Sequence, residues 1–316
     1  MKILANDGID ALGKSMLEDA GFTVETTKIE QEQLCDQIGA YDVIIVRSAT
    51  KVTAEVLDAG TKLKVVARAG VGLDNVDLVH AGKLNIPVVN TPNASSRSVA
   101  ELVFTHIFSL VRSTQITNRV MPNEGDSRFK ELKKMASKGT EVAGKTIGIL
   151  GFGRIGQEAA RIAIGLGMKV MVYDYKERNF DLVLNFHPDY AVHNFKISLK
   201  GHTLETVLSK SDFITLHTPG STEVIGAQEL GQMKPGAILI NCARGGVVNE
   251  KALLKALQNK SLRAAGVDVF ESEPPIFTDI LKPENVSLSP HVGASTAEAQ
   301  KRVGIELAER ILAVYK

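Results

Sequence analysis

Thr146-Ile147-Gly148-Ile149-Leu150-Gly151-Phe152-Gly153-Arg154-Ile155-Gly156 is the stretch on which the fold turns. A lone GxGxxG is weak, but three features surround this one. Thr146–Leu150 reads as a buried parallel strand. Gln157 to Ala163 reads as a helix. A second strand ends at Asp174, 18 residues beyond Gly156. Gly151 allows the tight turn out of the strand, Gly153 lets backbone approach a pyrophosphate, and Gly156 lets helix pack on strand. The helix N-terminus offers unpaired N–H groups to phosphate. Asp174 can accept hydrogen bonds from both ribose hydroxyls, and its charge would repel a 2′-phosphate, which favours NAD over NADP.

Working outward, strands and helices alternate on both sides. Ile3–Ala5, Val43–Val46, Lys64–Arg68 and Val88–Asn90 read as strands upstream, with helices at Ile9–Ala20, Thr53–Asp58 and Val76–Lys83. A long helix is expected from Ser96 to Arg119, with a capping-box spacing at Ser98-Val99-Ala100-Glu101. Met121 to Gly144 reads as a polar surface connection. Downstream, Thr146–Leu150, Lys169–Tyr173, Asp212–Leu216, Ala237–Asn241 and Ala264–Val269 read as strands. Helices are expected at Gly156–Leu166 and Glu250–Gln258, and a final one opens at a second box, Ser295-Thr296-Ala297-Glu298. Glu177 to Gly201 has no clear period. Such βαβ alternation predicts parallel sheets covered by helices on both faces.

The bulk properties agree. At 316 residues, the chain has the length of about two domains. Its 37 Lys+Arg balance 36 Asp+Glu, which argues against a chain that coats nucleic acid or an acidic membrane. No apolar run approaches the roughly 20 residues that span a bilayer, and the N-terminus is not a signal peptide. The two cysteines, Cys35 and Cys242, fit neither a disulfide scaffold nor a zinc site. The expectation is a cytoplasmic protein without a metal, a nucleic-acid partner or a membrane partner.

Three later segments end strands with unusual polar sets: Asn241-Cys242-Ala243-Arg244-Gly245-Gly246, Asp268 to Pro274, and Ser289 to Thr296. Ligands in doubly wound sheets bind outside the carboxyl ends of strands. Oxidising a hydroxyl with NAD⁺ requires a base for its proton, and His291 suits that task. A carboxylate such as Glu273 favours the imidazolium and orients the ring. Arg244 can hold a substrate carboxylate with a two-pronged pair of hydrogen bonds. Taken singly, each has a plain reading: a strand-end His, a loop acid, a surface Arg.

With these residues the chain resembles the D-isomer-specific 2-hydroxyacid dehydrogenase family over almost its whole length. The resemblance includes Val46-Arg47-Ser48-Ala49-Thr50-Lys51, Arg68 to Asp77, Asn90-Thr91-Pro92-Asn93, the glycine fingerprint, His217-Thr218-Pro219 and the three strand-end segments. It implies two doubly wound parallel-sheet α/β domains, a Rossmann NAD-binding domain (93–289) inserted in a flavodoxin-like substrate domain (1–92 and 290–316). It implies Arg244 as the carboxylate-binding residue, His291 as acid/base and Glu273 as its partner. Gly151, Gly153, Arg154, Ile155, Gly156, Asp174, His217, Thr218, Pro219, Ala243, Asp268 and Gly293 would line NAD, with Asp268 at the nicotinamide carboxamide. A homodimer through the NAD-binding domain is also implied.

The resemblance is greatest to the branch that oxidises D-3-phosphoglycerate to 3-phosphohydroxypyruvate, the entry step of L-serine biosynthesis. Arg47, Ser48, Lys51, Arg68, Ala69, Gly70, Val71 and Asn93 would then bind the substrate. Whether Lys133 or Lys134 reaches a neighbouring active site stays open. Long members of that branch carry serine-binding C-terminal domains, and this sequence ends before them, which implies no serine inhibition by that route. Two alternatives stand beside this reading. One is the same chemistry on glycerate/hydroxypyruvate, 2-hydroxyglutarate or lactate. The other is an NAD-sensing, corepressor-like binding protein.

Overall fold

The computed structural model describes residues 1–175, 179–184, 187, 189 and 195–315. Contacts divide the chain into two compact units, Met1–Ser98 with Ala294–Lys316, and Val99–Gly293. The sequence reading put the joins at 92/93 and 289/290. They fall a few residues later for local reasons. Asn93 and Ala94 are tied to Glu306 and Arg302 near the C-terminus. Val292 and Gly293 donate their N–H groups to Asp268.

In the first unit, strands β1 (Lys2–Ala5), β2 (Thr23–Glu25), β3 (Val43–Val46), β4 (Val65–Arg68) and β5 (Val88–Asn90) form an all-parallel sheet of order β2-β1-β3-β4-β5. β3 is Val-Ile-Ile-Val without alternation because both faces are covered. The pleat sends successive residues to opposite cores. Leu4, Ile44, Val46 and Val66 pack on one face. Ile3, Ala5, Val43, Ile45, Val65 and Ala67 pack on the other, under Leu307, Ala308 and Ile311. Helices α1 (Ala11–Asp19), α2 (Leu34–Gln37), α3 (Ala54–Ala59) and α4 (Leu78–Lys83) connect the strands.

The second unit opens in α5 (Ser96–Arg112), whose Val99, Val103, Phe104, Ile107, Leu110 and Val111 recur at helical spacing and face the core. The expected single helix to Arg119 breaks at Ser113, which takes the left-handed conformation at φ +57°. Helices α6 (Thr114–Glu124) and α7 (Phe129–Ala136) then occupy the stretch read as a surface connection. Apolar periodicity gave no signal there because α6 buries no residue and α7 only Leu132.

β6 (Thr146–Leu150), α8 (Arg154–Gly165) and β7 (Lys169–Tyr173) follow. Within 177–201, β8 (Phe180–Leu184) pairs antiparallel with β9 (Phe195–Leu199). Next come α9 (Leu204–Lys210), β10 (Phe213–Leu216), α10 (Ala227–Gln232), β11 (Ala237–Asn241), α11 (Glu250–Gln258), β12 (Leu262–Val267) and β13 (Val286–Leu288). The six parallel strands run β13-β12-β11-β10-β6-β7. The final helix α12 (Ala297–Val314) belongs to the first unit. Thr296, not Ser295, caps it by accepting from Ala299 N, so the expected box is not formed in that register.

Candidate active site

In the second sheet the order reverses direction at β6, between β7 and β10, and a ligand crevice is expected there. Gly151 leaves β6 at φ +93°, and a Cβ on it would lie 2.7 Å from the His217 carbonyl at the end of β10. A Cβ on Gly156 would run into the Gly151 carbonyl, whereas one on Gly153 would meet nothing within 4 Å. The fingerprint is therefore tight on its protein side and open at Gly153. Gly153 is the N-cap of α8 and has no capping side chain. Asp174, at the end of β7, accepts from Phe152 N at 2.9 Å and holds the loop.

His217 is half-buried, and desolvation pushes its imidazole down to about 3. Its Nε2 meets Thr215 Oγ1 at 3.1 Å. Its Nδ1 and the Thr218 hydroxyl are buried without a hydrogen-bond partner among the described residues. Orphaned polar atoms are costly inside a protein, and a polar ligand at the glycine loop would satisfy them. These features fit a dinucleotide. Arg154 and Ile155 open α8 beside it, and Pro219 and Ala243 follow the ends of β10 and β11.

The ends of β11, β12 and β13 are stitched together. Buried Asn241 accepts from Ala243 N and donates to the Arg244 carbonyl, each at 3.1 Å. Arg244 Nη1 donates to the Ala243 carbonyl at 2.7 Å. A Cβ on Gly245 would collide with the Phe270 carbonyl, so glycine is required for the two segments to touch. Glu250 Oε1 accepts from Glu271 N at 2.7 Å, and Glu271 Oε1 accepts from Glu250 N at 3.2 Å.

Asp268 is 1% exposed. Its Oδ1 accepts from the Ser289 hydroxyl at 2.6 Å and Val292 N at 2.9 Å. Its Oδ2 accepts from Gly293 N at 3.0 Å, and its carbonyl from His291 N at 2.7 Å. These bonds set the turn in which His291 sits at φ +53°. His291 Nδ1 meets Glu273 Oε2 at 2.7 Å, while Glu273 Oε1 accepts from Phe270 N at 3.3 Å. A largely apolar cavity of about 420 Å³ lies beside the pair, lined by Phe270, Pro274, Leu281, Leu288 and Pro290. His291 and Glu273 thus meet directly. Gly245, the neighbour of Arg244, packs against Phe270, whose N–H is given to Glu273.

The other expected site residues lie in the first unit, whose sheet order reverses direction at β1, beside β3. Arg47, Ser48 and Lys51 follow β3, while Arg68 ends β4 and Ala69, Gly70 and Val71 follow it. Asp7, missed in the sequence reading, builds this loop. Its Oδ2 accepts from Arg47 N at 2.6 Å and Thr50 N at 3.1 Å, and its Oδ1 from the Thr50 hydroxyl at 2.7 Å. Asn75 donates to the Arg47 and Thr50 carbonyls, and Gln31 grips both backbone groups of Lys51. The missed signal was the Asn6-Asp7-Gly8 turn that follows β1 at a sheet reversal. A cavity of about 320 Å³ opens here, lined by Asp7, Asp10, Arg47, Ala69 and Gln300 among others. The Arg68 guanidinium occupies the place of a Gly70 Cβ, which explains the glycine. Asn93 gives its backbone and side-chain N–H groups to Glu306.

No group of three His, Cys, Asp or Glu placed to hold a metal ion occurs among the described residues. No helix among them is long and apolar enough to cross a membrane.

The comparisons with known proteins point the same way. The family model described as "D-isomer specific 2-hydroxyacid dehydrogenase, NAD binding domain" matches residues 104–293. The chain is 40% identical to hydroxypyruvate reductase of Thermotoga maritima, covering 98% of this chain and 97% of that protein. It is also 40% identical to D-3-phosphoglycerate dehydrogenase of Methanocaldococcus jannaschii over 100% of its own length but only 58% of that protein's. The crystal structure of D-lactate dehydrogenase from Aquifex aeolicus, complexed with NAD and lactic acid, superposes with a TM-score of 0.76 at 26% identity, covering 99% of this chain and 96% of that one. The chain belongs to the D-isomer specific 2-hydroxyacid dehydrogenases, and its second unit carries that family's NAD-binding domain.

Proposed function

We propose that the protein oxidises D-3-phosphoglycerate to 3-phosphohydroxypyruvate with NAD⁺, feeding L-serine biosynthesis, and catalyses the reverse reduction by the same groups. When bound, NAD⁺ supplies the ring that accepts the C2 hydride. His291 Nδ1–H is committed to Glu273, which leaves the Nε2 lone pair to take the hydroxyl proton. Glu273 favours the imidazolium that results. Arg244 holds the substrate carboxylate. Glycine at 151, 153 and 156, Asp174, His217 to Pro219 and Ala243 hold the dinucleotide, with Asp174 selecting NAD. Asp268, whose two oxygens already take three donors, contributes by fixing the turn at 289–293.

The observation that carries the choice of substrate is the Asp7-built loop bearing Arg47 and Lys51, which follows β3 where Val46 pairs with Arg68 at the end of β4. A substrate bearing phosphate as well as carboxylate needs such cations; a short monocarboxylate does not. The likeness to a hydroxypyruvate reductase along nearly its full length favours glycerate/hydroxypyruvate as the second reading. Steady-state kinetics on 3-phosphoglycerate, D-glycerate, D-2-hydroxyglutarate and D-lactate, with NAD and NADP in parallel, decide between them. A kcat/KM for 3-phosphoglycerate no better than for D-glycerate overturns the phosphate reading. The same proposal includes a cytoplasmic homodimer formed through the NAD-binding domain, supported by the exposed Phe108, Met121 and Phe129 on α5, α6 and α7.

A further inference from the structure

The chemistry proposed for the site leaves a buried histidine of the same unit unused. His106, on α5, is 3% exposed. Its Nδ1 lies 2.8 Å from Ser287 Oγ and its Nε2 3.0 Å from Ser289 Oγ. Ser289 Oγ lies 2.6 Å from Asp268 Oδ1. The two serines stand two residues apart and so present their hydroxyls to the same side of the strand. Gly266 on β12 makes the room: a Cβ there would be 2.7 Å from the His106 Cβ.

The direction of this chain of hydrogen bonds follows from its end. The Asp268 carboxylate serves as acceptor to three donors, so Ser289 gives it its one proton. Ser289 then offers only lone pairs to His106, and Nε2 must carry the ring proton. Burial pushes the His106 imidazole down and keeps it neutral. Nδ1 is therefore bare and accepts from Ser287.

What the chain supports is a costly turn. His291 is a non-glycine residue at φ +53°. Such a conformation persists only where its surroundings over-determine it, and Asp268 is the group that does so. We propose that His106 is a positioning residue for the acid/base centre: its Nε2–H orients the Ser289 hydroxyl onto Asp268, which sets the 289–293 turn and with it His291 against Glu273. The proposal rests on His291 being the acid/base.

Two substitutions separate this role from plain core filling. In His106→Gln the terminal amide nitrogen sits as many bonds from Cβ as Nε2 does, and it can still donate to Ser289. In His106→Asn the amide reaches only the Ser287 side. Expected in the full-length enzyme is a kcat within about threefold of wild type for Gln but a loss of roughly 10-fold or more for Asn and for His106→Leu, with KM for the hydroxy acid little changed. Ser289→Ala, which cuts the same link without touching α5, reproduces the loss should the Leu variant fail to fold. Nitrogen-15 NMR of the imidazole is expected to show the Nε2–H tautomer at His106. Equal kcat for Gln and Asn, or an Nδ1–H tautomer, overturns the role of His106 alone. A wild-type rate that His291→Ala leaves unchanged overturns the acid/base assignment beneath it.

Discussion

His291 Nδ1 and Glu273 Oε2 lie 2.7 Å apart, with side chains 41% and 40% exposed. A pair that open adds little to stability because solvent screens it. In the proposed mechanism its value is orientation: the ring's second nitrogen is left for a substrate hydroxyl. His291→Ala is expected to bind NADH as wild type does and to lose at least roughly 10²-fold in oxidation rate. Glu273→Gln keeps a hydrogen bond but removes the charge that stabilises the imidazolium, and kcat falls by roughly 10- to 100-fold with little change in KM. Steady-state kinetics beside fluorescence titration with NADH check both, and unchanged kcat in either variant removes that residue from the mechanism.

Asp268→Asn replaces an acceptor that serves three donors by a group with one acceptor oxygen. The amide then points N–H at either Gly293 N–H or the Ser289–Val292 donors. The expected cost is about 1–3 kcal/mol in urea unfolding, together with a fall in kcat as the His291 turn loosens. Wild-type stability in this variant would mean that the turn is held by other contacts.

Asp174 holds Phe152 N and is proposed to select the cofactor. Wild type is expected to prefer NAD in kcat/KM, and Asp174→Ser to narrow the NAD/NADP ratio by roughly 10-fold or more by removing the repulsion of a 2′-phosphate. An unchanged ratio would show that selection resides elsewhere.

His217 links stability to pH. Its ordinary value near 6.5 applies unfolded, while burial holds it at about 3 folded. The unfolded chain therefore binds the extra proton between those limits. The stabilisation is complete above about 6.5 and declines as pH falls towards 3, by up to ~1.4 kcal/mol per pH unit. His106, also shifted down by burial, acts in the same direction. Urea midpoints between pH 7.5 and 4.5 are expected to fall less steeply for His217→Gln than for wild type. Parallel slopes for the two proteins would contradict this.

The central strands were legible because burial on both faces leaves unbroken Val and Ile runs bounded by turn residues; Val43–Val46, Thr146–Leu150 and Ala237–Asn241 stand where the sequence put them. The elements missed are those that apolar pattern does not mark. α6 and α7 bury almost nothing, and α9 and α10 are short. Among the described residues of β8 and β9, only Phe180 and Leu182 are buried.

The site divides in the same way. Glycine spacing, Asp174, Arg244, Glu273 and His291 could be read as residue types at strand ends, because the chemistry needs those types there. Their fastening could not. Asp7 on Arg47, Asp268 on the 289–293 turn, Gly245 against Phe270 and His106 on Ser289 join residues far apart in sequence. The sequence by itself determined the two parallel-sheet units, the dinucleotide loop and which side chains are proposed to carry chemistry, since each is written in local pattern. Only the tertiary structure decided which buried polar groups hold those side chains in place, because a hydrogen bond is specified by distance and direction in space, and chain order fixes neither.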